Sequence, residues 1–95
     1  MLSNDDVQAA LGRLPGWQGG TDQIAKEYRL ADFRAAVAFV VRLSYEAEAA
    51  NHHPDLDIRY NRVRVALSTH SEGGVTAKDV DLATAVEALG SAATV

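Results

Sequence analysis

The hydrophobic positions of this chain switch between a helical and a strand period, and the switches fall at residues that turn or cap a backbone. Val7, Ala10, Leu11 and Leu14 follow helical spacing. Ser3 precedes them as an N-cap, and Asp5 and Asp6 lie in the first turn, near the positive end of the helix dipole. Pro15-Gly16 predicts the stop. A strand is expected to begin at Trp17, which reads equally as a core or edge aromatic. Gly19-Gly20-Thr21-Asp22 is a turn, and Ile24 to Leu30 alternates as the return strand.

Asp32 is placed to cap a long helix running to about Asn51. Its apolar face is read as Phe33, Val37, Val40, Val41, Ser44 and Ala47. Pro54 cannot continue that helix, and the residue before it, His53, is pushed toward an extended conformation. A short strand is possible near Leu56 to Arg59. Tyr60 to His70 is the clearest strand, with Val63, Val65 and Leu67 on one face and Arg62, Arg64, Ala66 and Ser68 on the other. Ser71-Glu72-Gly73-Gly74 is a turn. Thr76 caps a last helix carrying Val80, Ala83, Val86 and Leu89, and Gly90 is placed to end it. The order predicts an α+β fold, with helices covering one face of an antiparallel sheet.

Composition narrows the function. Ninety-five residues form one domain, 1–95, whose thin core makes oligomerisation an expectation. The absence of cysteine excludes a disulfide framework, a thiolate metal site and a cysteine nucleophile. The longest apolar run, Ala35 to Val41, is far short of the roughly 20 residues of a membrane span. The N-terminus lacks the pattern of a secretory signal, so a cytoplasmic protein is expected. The net charge of −4 argues against nonspecific nucleic-acid binding. Arg59, Arg62 and Arg64 read as a solvated or subunit-facing strand face, because no aromatic platform accompanies them.

All three histidines, His52, His53 and His70, fall in one short stretch. Imidazole titrates near neutrality, so a cluster offers both a proton donor and a proton acceptor at pH 7. The pair ends a helix and His70 ends the next strand, so they meet only if that strand folds beside the helix. Each alone also reads as a surface residue stabilised by a helix end. Three histidines with Glu48 or Asp79 would suit a tetrahedral zinc ion, although adjacent histidines are less usual ligands than pairs spaced along a helix. Asp79 stands three residues after Thr76, where a capping box alone explains it. Glu48 sits in the last helical turn, where the dipole disfavours an acid, which either a donor such as a histidine or plain solvent exposure would offset.

The run Glu48-Ala-Ala-Asn-His52-His53-Pro54-Asp, then Tyr60-Asn61-Arg-Val63-Arg-Val65-Ala-Leu67-Ser-Thr69-His70, then Gly74-Val75-Thr76-Ala-Lys-Asp79 and Leu82-Ala83, closely resembles the pterin-4a-carbinolamine dehydratase family. The likeness extends from about Trp17 to Leu89. It implies a four-stranded antiparallel sheet with helices on one side, and subunits that pair through their sheets into dimers or tetramers. The implied activity is a hydro-lyase of tetrahydrobiopterin recycling. It converts a 4a-hydroxytetrahydropterin to a quinonoid dihydropterin without metal or organic cofactor. The resemblance makes His52, His53 and His70 catalytic, has Asp79 orient one of them, and places Glu48, Pro54 and Thr69 around the substrate. His53 is the expected acid and His70 the expected base, with His52 holding the substrate and sharing in proton transfer. One departure is Leu56, where the family commonly has a large aromatic residue near the pterin. The same fold also serves as a scaffold, assembly factor or transcription cofactor, but such relatives tend to lose the histidines that this chain keeps.

Overall fold

The computed structural model describes residues 1–94. Three helices and four strands follow in the order α1 (Asn4–Leu11), β1 (Gln18–Gly19), β2 (Ile24–Arg29), α2 (Phe33–Ala50), β3 (Asp55–Arg59), β4 (Arg62–Leu67) and α3 (Ala77–Ala93). The fold is α+β. Its strands form one antiparallel sheet in the order β1-β2-β4-β3. Among the described residues, no helix is long and apolar enough to cross a membrane.

Alternation along the strands sets the two faces of the sheet. Ile24 and Tyr28 of β2 and Val63, Val65 and Leu67 of β4 point inward and are buried with Phe39 and Leu43 of α2 and Leu82 and Val86 of α3. The opposite face carries the charges. Its register sets Glu27, Arg64 and Asp57 in one cross-strand row and Arg29, Arg62 and Arg59 in the next. The three sequence-patch arginines thus lie on the solvent face, with Arg59 bonded to Asp57.

Local signals placed most ends correctly. Ser3, Asp32 and Thr76 are N-caps, each accepting a backbone N–H through its side chain. Other expectations need correction. The first helix ends at Leu11, before Pro15, because the chain tightens there into successive turns (Arg13 N–H to Ala10, Leu14 N–H to Leu11). Trp17 lies just before β1, buried in the core. The strand expected over 60–70 is shorter: Tyr60 takes a positive φ of 51° in the β3–β4 turn, and His70 begins a short 3₁₀ turn. Gly90 does not end α3. The helix runs on to Ala93, and Gly90 is buried where a Cβ would overlap the Tyr28 ring. Here the glycine permits close helix–sheet approach instead of a left-handed cap.

The inward face of α2 also differs. Ala36, Phe39, Leu43 and Ala47 are buried, whereas Phe33 (55% exposed), Val37, Val41 and Tyr45 (73%) face away. The helix is apolar on two sides, and a 3.6-residue period cannot say which side meets the sheet.

Candidate active site

The site is assembled at the C-terminal end of α2. Asn51 takes the left-handed conformation there (φ 49°, ψ 44°) and closes the helix, with its N–H and that of His52 bonded back to Glu48 and Ala47. His52 is thereby fixed to the helix end, and the extended bias before Pro54 carries His53 out of it. Pro54 is half-buried and leads into β3.

From that position the His52 ring reaches α3. Its Nε2 lies 2.5 Å from Oδ1 of Asp79, the residue that closes the capping box of α3. Asp79 is fully buried. Its Oδ2 accepts from the Thr69 hydroxyl at 2.8 Å and from the Thr76 N–H at 2.9 Å. Burying an unpartnered carboxylate costs far more than one hydrogen bond returns, so three donors around one carboxylate are what makes the position tenable. Capping and histidine contact use different oxygens, and Asp79 performs both.

His53 has a wetter partnership. Its Nε2 lies 2.5 Å from Oε2 of Glu48, one turn back on α2, with side-chain exposures of 58% and 75%. Such an exposed pair adds little stability. It gives a charged His53 a counterion and offsets the unfavourable place of Glu48 at a helix C-terminus.

His70 arrives from the far side. Ser68 and Thr69 follow β4, Thr69 pairs with Gly74 across a narrow loop, and His70 stands at the head of that loop. His52, His53 and His70 together line a cavity of about 300 Å³, along with Ser68, Thr69 and Lys78. The structure therefore brings together the three histidines, with Thr69 at the cavity wall and Asp79 behind it. Thr69 is nearly enclosed, and its hydroxyl is engaged by Asp79. Leu56 lies on β3 facing the helical side, paired in register with Val65.

Lys78 was not anticipated from sequence. It precedes Asp79 in the first turn of α3, so fixing Asp79 behind His52 sets Lys78 at the cavity rim. It also borders, with His52, a second hollow of about 360 Å³ between α2 and α3. Its signals in the sequence are its place in the capping turn and in the run Thr76-Ala-Lys-Asp79. A larger hollow of about 540 Å³ beside Gly16, Lys26 and Arg64 contains no histidine, so acid–base capacity near neutrality lies in the smaller cavity. Among the described residues, no three His, Cys, Asp or Glu side chains are grouped to hold a metal ion.

A cavity lined by three imidazoles can give one proton and take another. The sequence comparison says which family built it. The model of the family described as pterin 4 alpha carbinolamine dehydratase matches residues 1–89. The chain belongs to this family.

Relatives of the pterin-4-alpha-carbinolamine dehydratase family match over nearly their whole length. A protein of Chloroflexus aurantiacus, provisionally named as such a dehydratase, is 50% identical over 86 residues, covering 90% of this chain and 92% of its own. One from Opitutus terrae, also provisionally named, is 51% identical over 84 residues, covering 87% of each chain. A solved structure from Brucella melitensis, described as a transcriptional coactivator/pterin dehydratase, superposes with a TM-score of 0.88 at 37% identity. It covers 94% of this chain and 97% of its own. A pterin dehydratase-like protein identified as a RuBisCO assembly factor of the alpha-carboxysome shares the fold, with a TM-score of 0.64 at 20% identity over 78% of this chain and 86% of its own.

Proposed function

We propose that this protein dehydrates a 4a-hydroxytetrahydropterin to the quinonoid dihydropterin. The observation that carries the reading is the meeting of His52, His53 and His70 on one cavity, with a buried carboxylate holding the first. In the reaction the C4a–O bond breaks and the 4a-hydroxyl leaves as water, taking up a proton. The N5 proton is lost, and its bonding pair completes the N5–C4a double bond. One group must therefore donate while another accepts.

His53 is the donor in this reading. Its Glu48 partner compensates a cationic ring, and its exposure lets it recover a proton from solvent. His70, across the cavity, accepts from N5. His52 is held through one nitrogen by Asp79 and presents the other to the substrate, so it positions the pterin and shares in proton transfer. Thr69 shapes the wall, and Pro54 directs the chain out of the site into β3. No metal or organic cofactor takes part in the proposed steps.

The proposal includes a homodimer or homotetramer in the cytoplasm, made of one domain per chain. Two features support assembly. The Phe33, Val37, Val41 and Tyr45 stripe of α2 is exposed, as are Leu56, Ile58 and Tyr60 on and beside the edge strand β3. Apolar surface concentrated in this way marks association sites, and an edge strand leaves backbone groups unpaired.

The test is the rate of 4a-hydroxytetrahydropterin dehydration, followed by absorbance, for wild type, His53→Ala and His70→Ala. Acceleration by wild type and a loss of about a hundredfold or more in each variant is expected, the usual reach of general acid–base catalysis. A folded, oligomeric wild type that leaves the uncatalysed rate unchanged would move the chain to the scaffold or assembly role of other proteins on this fold.

A further inference from the structure

Behind His52 the hydrogen bonds run in one direction. Thr69 and Thr76 place their hydroxyl oxygens 2.8 Å apart, Thr69 Oγ1 lies 2.8 Å from Asp79 Oδ2, and the Lys78 N–H donates to Thr76 Oγ1 at 3.2 Å. The Thr76 N–H also donates to Asp79 Oδ2. An ionised carboxylate only accepts. The Thr69 proton must then point to Asp79, which leaves the Thr69 oxygen to accept from Thr76. The Thr76 oxygen, in turn, accepts from the backbone of Lys78. Reversing the Thr69–Thr76 link would leave the Thr69 oxygen, an acceptor, facing the carboxylate, also an acceptor.

Oδ2 is taken by two donors and a carboxylate only accepts, so the proton between Oδ1 and His52 belongs on Nε2. The same two donors fix the carboxylate plane, and with it the plane of the ring. Every member but His52 lies within eleven residues, yet their target is 27 residues from Asp79 on another element. A helix cap needs only the Thr76 side chain and the Asp79 carboxylate. It does not need the Thr69 hydroxyl, which is buried in the cavity wall and turned away from the cavity toward Asp79.

We propose that Thr69 and Thr76 are positioning residues whose hydroxyl pair holds His52 as the Nε2–H tautomer with Nδ1 presented to the substrate. This rests on the dehydratase reading for its kinetic consequence, but not for its structural one. Thr69, read from the sequence as a substrate contact, acts instead through Asp79 and His52.

The experiment measures two things on the intact protein with Thr69→Val, Thr76→Val and Thr76→Ser. Ring ¹⁵N shifts of His52 report which nitrogen carries the proton, with no substrate present. Dehydration kinetics report kcat and KM separately. Wild type and Thr76→Ser should show neutral His52 as Nε2–H alone. Thr69→Val should show mixed tautomers with kcat lowered about tenfold, and Thr76→Val the same change more weakly, about threefold, the reach of one hydrogen bond lost to a charged or a neutral acceptor. KM should move less than twofold. Thr76→Val also weakens the α3 cap, so Thr69→Val, which leaves the cap intact, separates positioning from helix fraying. Unchanged His52 tautomers in a folded Thr69→Val protein would overturn the proposal, as would a loss in KM alone. If tautomers shift but no variant, wild type included, dehydrates the pterin, the positioning inference stands and the dehydratase reading falls.

Discussion

Two carboxylates of α3, Asp79 and Glu87, each collect three hydrogen bonds, and they do different work. Asp79 receives His52, Thr69 and the Thr76 backbone. Glu87 receives Trp17, Lys26 and Tyr28 on a single oxygen, at 3.2, 2.8 and 2.6 Å. The Glu87 group ties α3 to β2 and to the loop before β1, and Lys26 adds a bond to the Pro15 carbonyl. All its members end in one another. In the Asp79 group one donor is an imidazole that also lines a cavity. The difference between a structural staple and a candidate site is therefore one side chain with two functional ends.

The sharpest way to break this comparison is to neutralise each carboxylate. Asp79→Asn is expected to lower the dehydration rate by a hundredfold or more, since an amide can donate to Nε2 and hold the opposite tautomer. Glu87→Gln should leave that rate within about twofold, because its partners take no part in proton transfer. Equal losses in the two variants would erase the distinction. Next in size is Gly90→Ala. The new methyl meets the Tyr28 ring and displaces it from Glu87, so denaturant unfolding should show about 2 kcal/mol of lost stability. The dehydration rate of the folded variant should stay near wild type.

Two pH limbs sharpen the staple side. Burial pushes the Tyr28 hydroxyl up from its ordinary value of 10.0, helped by the hydrogen bond to Glu87 and by that negative charge. A raised folded value means stability is complete below pH 10 and is lost as pH rises beyond it, since the unfolded chain then ionises first. Thermal midpoints from pH 8 to 11 should fall above about pH 10, and Tyr28→Phe should flatten that fall. The smallest effect is at the acid end. Burial alone would raise the Glu87 carboxyl, but the hydrogen bonds from Lys26 and Tyr28, the Lys26 charge and the Trp17 bond outweigh it and hold the group below 4.5. A lowered folded value means this contribution is complete above pH 4.5 and is lost as pH falls through the folded value. Glu87→Gln should reduce that loss in midpoints taken from pH 6 to 3, and only modestly, because Glu87 is partly exposed.

How much of this was legible follows from the range of each force. The caps at Ser3, Asp32 and Thr76, the alternation over Val63 to Leu67, the end of α2 before Pro54 and the clustering of histidines could all be read from the chain. Each depends on sterics or hydrogen bonds within a few residues, or on a two- or 3.6-residue period. The motif also pointed to the family and to Asp79 as the partner of a histidine.

Tertiary structure decided the rest. It chose the Ala36, Phe39 and Leu43 side of α2 over an equally apolar stripe, put Gly90 under Tyr28, and gave Asp79 to His52. It also gathered Trp17, Lys26, Tyr28 and Glu87 from a loop, a strand and a helix and set Lys78 beside the histidines. None of these choices is encoded in spacing. Each compares the free energy of alternative long-range contacts, and that comparison exists only once the sheet and helices have packed.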